Sequence, residues 1–147
     1  MKPVRVLVAD DNVDHLYFIE RALNQIEGDL RIDTVQDGVE VMDYLNRRGH
    51  FLDKERPHLI LLDLRMPRRD GIEVLEELKA DPVLRTIPVC VLTSSDRPED
   101  VEAAYAGGGN SYVVKPSDLK GILEELQIVG DYWAKTATLP EPPNGAH

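Results

Sequence analysis

Short apolar runs and amphipathic stretches alternate along the whole chain. Val6-Leu7-Val8-Ala9, Leu59-Ile60-Leu61-Leu62, Val89-Cys90-Val91-Leu92 and Tyr112-Val113-Val114 are free of charge and mostly branched. Such runs read as strands buried on both faces, as in a parallel sheet. The strands are expected over Val4 to Ala9, Arg31 to Val35, Leu59 to Leu62, Pro88 to Leu92 and Ser111 to Val114. The second of these is the most polar and is expected at a sheet edge.

Between them the apolar period changes to that of a helix. Leu16, Ile19, Leu23 and Ile26 mark a helix from Asp14 to Ile26, ended by Gly28. Val39, Val41, Met42 and Leu45 mark a second, stopped by Gly49. Ile72, Val74, Leu75 and Leu78 mark a third, ending near Asp81-Pro82. A fourth spans Pro98 to Ala106, and Gly107-Gly108-Gly109 breaks it. The last opens at Pro116 and carries Leu119, Ile122, Leu123, Leu126, Val129 and Trp133. Gly49 to Pro57 reads as a long polar loop. Strand and helix alternating five times predict an α/β fold, a doubly wound five-stranded parallel sheet with five helices in a single domain. That domain is expected over residues 1–133, with a Pro-rich tail over 134–147, extended or disordered.

Four of these strands then deliver a polar group at the C-terminal end: Asp10 and Asp11, Asp63, Thr93, and Lys115. In an open parallel sheet these ends share one edge, where ligands bind. Taken singly, each has an ordinary explanation. An Asp after a strand is often a helix cap, a Lys there is usually solvated, and a Tyr such as Tyr112 is usually core. Their joint placement is what argues for a site.

Three carboxylates within about 5 Å repel by roughly 3 kcal/mol per pair at an effective dielectric near 20. Oxygen ligands alone suit Mg2+, which takes one or two carboxylates and phosphate oxygens. A carboxylate is also a nucleophile toward phosphorus and forms an aspartyl phosphate. Mg2+ and an ammonium offset the charge that builds on phosphoryl oxygens, and a hydroxyl such as Thr93 can donate to them.

Composition narrows the partners. The chain has 147 residues, a formal net charge of −10 and a pI near 4.8. No basic stripe suited to nucleic acid is visible. Arg47-Arg48 and Arg68-Arg69 read as solvated helix ends or loops. The one cysteine, Cys90, lies inside an apolar run and reads as a buried reduced thiol. No run approaches the roughly 20 apolar residues of a membrane span. A cytoplasmic protein is expected.

The motifs together resemble the response-regulator receiver domain of two-component signalling. The matching pieces are Leu7-Val8-Ala9-Asp10-Asp11-Asn12, Leu62-Asp63-Leu64-Arg65-Met66-Pro67, Asp70-Gly71, Thr93-Ser94 and Tyr112-Val113-Val114-Lys115-Pro116, over about residues 3 to 130. The resemblance implies a flavodoxin-like receiver fold with Asp63 as phosphoacceptor. It implies Mg2+ bound by Asp10, Asp11, Asp63 and the backbone carbonyl of Arg65. Lys115 would contact the phosphoryl group, Thr93 would be the switch hydroxyl and Tyr112 the rotating aromatic. A cis bond before Pro116 would aim Lys115. Arg65 and Ser95 flank the site and would tune the phosphoryl lifetime. Such a protein catalyses only its own phosphorylation and dephosphorylation.

No output domain follows residue 133, so a stand-alone receiver is expected, signalling by protein contact or onward phosphotransfer. Lys79-Ala80-Asp81-Pro82, Arg85-Thr86-Ile87-Pro88-Val89, the long loop before Pro57 and Tyr132-Trp133 resemble the receivers that partner phytochrome histidine kinases. The implied partner is a sensor kinase of the bacteriophytochrome type. Ile128, Tyr132 and Trp133 cannot share one helix face, so apolar surface is left for a homodimer through the last helix and the tail. Three rivals stand beside this reading. A haloacid-dehalogenase-type phosphatase needs an Asp where Arg65 stands. A flavin domain needs a phosphate cradle where Asp10-Asp11 stands. An interaction or scaffold module with a vestigial receiver pocket would bind no Mg2+.

Overall fold

A computed structural model describes residues 3–143. Five strands, β1 (Val4–Ala9), β2 (Leu30–Val35), β3 (Leu59–Leu62), β4 (Val89–Thr93) and β5 (Ser111–Val114), form one parallel sheet in the order β2-β1-β3-β4-β5. Five α-helices alternate with them: α1 (Val13–Asn24), α2 (Gly38–Leu45), α3 (Gly71–Ala80), α4 (Pro98–Ala106) and α5 (Leu119–Asp131). This is the doubly wound five-stranded parallel α/β fold the alternation predicts.

The sheet separates two cores. Leu7, Ile60, Leu62 and Val91 point to the side of α2 and α3, where they meet Val41, Leu45, Val74 and Leu78. Val6, Val8, Leu61 and Leu92 point the other way, to Leu16, Ile19, Leu23, Ile122 and Leu126 of α1 and α5. With both faces covered, no polar residue is needed inside β3 or β4, whose residues are all buried. Each buried Leu or Ile of this kind contributes about 1.5–3 kcal/mol relative to exposure.

Helix starts follow from side-chain caps. Asn12, Asp37 and Asp118 accept main-chain hydrogen bonds at the starts of α1, α2 and α5. Asp70 and Glu73 form a reciprocal capping box on α3. α4 has Pro98 in its first turn and no side-chain cap.

Several boundaries differ from the sequence reading. The last helix starts at Leu119, because Asp118 caps it, and Pro116 lies in the loop before it. β4 takes in Thr93 itself. The polar loop contains a short 3-10 turn, Gly49–Phe51, and Arg56, which is buried rather than solvated. Its Nε donates to the carbonyl of Leu45 at 2.9 Å and an Nη to that of Pro143 at 3.3 Å. The expected tail is corrected at its start, because residues 134–136 belong to a π-helical turn, Tyr132–Thr136, that continues from α5; the segment 137–143 has no helix or strand, and residues 144–147 lie outside the described residues. Among the described residues no peptide bond is cis. The implied cis bond before Pro116 is therefore corrected to trans, the form X–Pro bonds prefer by about 0.5–1 kcal/mol.

Candidate functional site

Sheet order places β1 and β3 side by side where the winding reverses, with β4 and β5 following on one side. The C-terminal edge at such a reversal is where α/β sheets open a crevice. Register aligns the ends: Ala9 lies beside Leu62, Leu62 beside Val91, and Thr93 beside Val114. The next residues, Asp10, Asp63 and Lys115, therefore leave the sheet on one edge. Main-chain bonds hold them there: Asp63 N–H donates to Ala9 at 2.9 Å and Lys115 N–H to Thr93 at 2.7 Å.

The side chains converge. The Lys115 ammonium donates to Asp10 Oδ2 at 2.5 Å and to Asp63 Oδ2 at 3.1 Å. Asp10 is 1 % exposed and Lys115 4 %. The remaining oxygens are also held. Asp10 Oδ1 accepts from Asn12 N–H at 2.9 Å, and Asp63 Oδ1 from Arg65 N–H at 3.1 Å. Asp11, exposed, completes a set of three carboxylates whose oxygens lie within 4.8 Å of one another. Burial pushes the Asp10 carboxyl above its ordinary range; the Lys115 ammonium and the Asn12 amide oppose that rise.

This donor set fits a hard divalent cation. It offers only oxygens, two of them on buried groups that one ammonium balances incompletely, with an exposed third carboxylate at the mouth. Thr93 is fully buried and its hydroxyl has no hydrogen-bond partner among the described residues. A buried unpaired hydroxyl is costly, about 1–3 kcal/mol, and suits a group that gains its acceptor only in another state. Tyr112 lies on β5, partly buried, and its OH donates to the carbonyl of Ser95 at 2.8 Å.

The sequence reading missed three neighbours. His15 reaches within 4.0 Å of Asp10 Oδ2 from the first turn of α1. Arg68, in the left-handed region at φ 66, pairs with Asp37 at 2.8–3.0 Å and ties the loop after Asp63 to α2. Asp100 of α4 accepts from Arg65 at 3.1 Å and from the Ser95 hydroxyl. A positive φ at a non-glycine is uncommon, but nothing in the order of residues announces it at Arg68.

The sequence pattern of the response regulator receiver domain matches residues 6–127. The chain belongs to the response-regulator receiver family. This receiver is 36 % identical over 138 residues to response regulator Rcp1 of Synechocystis sp., covering 94 % of each chain. A Mn2+-bound structure of Rcp1 superposes with a TM-score of 0.90 and 36 % identity, over 95 % of this chain and 100 % of that one. This receiver is also 38 % identical over 140 residues to the probable methanogenesis regulatory protein FilR2 of Methanothrix harundinacea, covering 95 % and 90 % of the two chains. The structure of the phosphorylated cyanobacterial phytochrome response regulator RcpA matches with a TM-score of 0.92 and 36 % identity, over 95 % of this chain and 100 % of RcpA. The receiver is thus a response regulator related to those of phytochrome systems.

Proposed function

We propose that this receiver accepts a phosphoryl group on Asp63 from a phosphohistidine of a sensor kinase. The observation that carries the reading is one buried ammonium, Lys115, shared between Asp10 and Asp63 at adjoining strand ends. In the transfer an Asp63 carboxylate oxygen attacks phosphorus. The P–N bond breaks, and its electron pair leaves with the imidazole. Asp63 Oδ2 faces Lys115 and Oδ1 faces the Arg65 amide, so the carboxylate is oriented before a donor arrives. Lys115 offsets charge on the transferred group. Mg2+, held by Asp10, Asp11, Asp63 and the Arg65 carbonyl, would supply further charge neutralisation at the phosphoryl oxygens.

Thr93, with its unpaired hydroxyl, is the donor to a new phosphoryl oxygen, and Tyr112 is the aromatic that follows it. The outcome is a population shift read by a partner or passed on as phosphate. The protein then catalyses no reaction beyond its own phosphorylation and dephosphorylation. Likeness to RcpA supports a phytochrome-type kinase, a bacteriophytochrome, as donor. No helix among the described residues is long and apolar enough to cross a membrane, in keeping with a place in the cytoplasm. Exposed Ile128 and Tyr132 support a homodimer through α5 and the segment after it.

Intact mass after incubation with acetyl phosphate tests the central reading. One phosphoryl group added with Mg2+, and none without Mg2+ or in Asp63→Asn, is expected. A wild type that stays unmodified from the earliest times onward, and binds no Mg2+, contradicts it and favours the scaffold reading.

A further inference from the structure

α4 is the helix least anchored by apolar packing. Of its nine residues only Ala104 is buried, and its first turn has no side-chain cap. Its polar anchor is Asp100. That carboxylate accepts from the Ser95 hydroxyl and from Arg65 Nη2, the latter at 3.1 Å. Both partners lead elsewhere. The Arg65 amide donates to Asp63 Oδ1, and the Ser95 carbonyl accepts from Tyr112. One carboxylate on α4 thus joins the loop after Asp63 to the loop that holds Tyr112.

We propose that Asp100 is a positioning residue that couples the state of Asp63 to the first turn of α4, by competing with the phosphoryl group for the Arg65 guanidinium. The inference rests on Asp63 being the phosphoacceptor. The Arg65 side chain is 62 % exposed, so it can swing without burying or stripping its charge. An exposed pair holds only loosely. A phosphoryl group two residues away carries about −1.5 to −2 charge against −1 on Asp100. Arg65 then divides its time between the two, and α4 loses its hold in proportion.

Hydrogen exchange of the α4 amides, with intact mass on the same samples, tests this in wild type, Asp100→Asn, Arg65→Gln and the double variant. In wild type, phosphorylation from acetyl phosphate and Mg2+ speeds exchange over Pro98–Ala106. In Asp100→Asn the exchange is already about threefold faster without phosphate, and phosphorylation adds nothing. The phosphoryl lifetime separates coupling from mere loosening. Asp100→Asn frees Arg65 for the phosphoryl oxygens and lengthens the lifetime about threefold, whereas the double variant matches Arg65→Gln. Loosening of α4 alone would move Asp100→Asn and the double variant alike. A wild type that carries phosphate while α4 exchange is the same in all four proteins overturns the coupling alone. A wild type that takes up no phosphate overturns the reading of Asp63 and the coupling with it.

Discussion

At the scale of single residues, one ammonium faces two buried carboxylates. Burial raises the folded-state pKa of Asp10 above 3.8. The folded form therefore binds that proton more tightly than the unfolded chain does. Stability falls as pH rises from 3.8 through the raised value, and the penalty is fully present above it. Lys115 offsets this penalty at neutral pH. Lys115→Ala leaves Asp10 and Asp63 buried and unbalanced, and is expected to cost about 3–5 kcal/mol at pH 7. The loss should shrink on addition of Mg2+ and on acidification toward pH 4. Urea denaturation across pH, with and without Mg2+, checks both. A loss equal at all pH values and indifferent to Mg2+ would show that Lys115 acts only by packing.

At the scale of elements, the site depends on how closely α3 starts beneath the end of β3. A Cβ on Gly71 would overlap the carbonyl oxygen of Asp63 and lie 2.7 Å from the Leu64 Cα. Both are backbone, so neither can step aside. Gly71→Ala should cost about 1–3 kcal/mol and slow phosphoryl uptake, because the strain falls on Asp63 itself. An unchanged denaturation midpoint would contradict this. The strand ends were legible in sequence because both faces of the sheet are covered, so an uninterrupted apolar run ends where the sheet does. Asp10, Asp63 and Lys115 could be placed on one edge from that alone. The Arg65–Asp100 and Arg68–Asp37 pairs were not legible. They join residues 35 and 31 apart through exposed side chains, and such pairs leave no periodic trace.

For the whole molecule, the two sides of the sheet differ in what they leave open. Ile128 is 67 % and Tyr132 51 % exposed, next to the half-buried Trp133. Sequence spacing alone already required this, since three large residues so placed cannot all face the core. A homodimer that covers them predicts a dimeric mass by light scattering at micromolar concentration, and a monomer for Ile128→Lys. A wild type monomeric at high micromolar concentration, with or without phosphate, would remove the dimer. The route of the chain after α5 was less legible. The segment to Pro143 returns to the buried guanidinium of Arg56, a residue that nothing in the loop Gly49 to Pro57 singled out. Its burial follows from the carbonyl of Leu45 at the end of α2, which needs a donor once that helix stops.

The account stands on Asp63 as the acceptor. Borohydride reduces an aspartyl phosphate to homoserine, so peptide mapping after acetyl phosphate and Mg2+ locates the bond directly. Homoserine at position 63, and at no other carboxylate, is the predicted result. Homoserine at Asp10 or Asp11, or none in a protein that has gained a phosphoryl group, would contradict it.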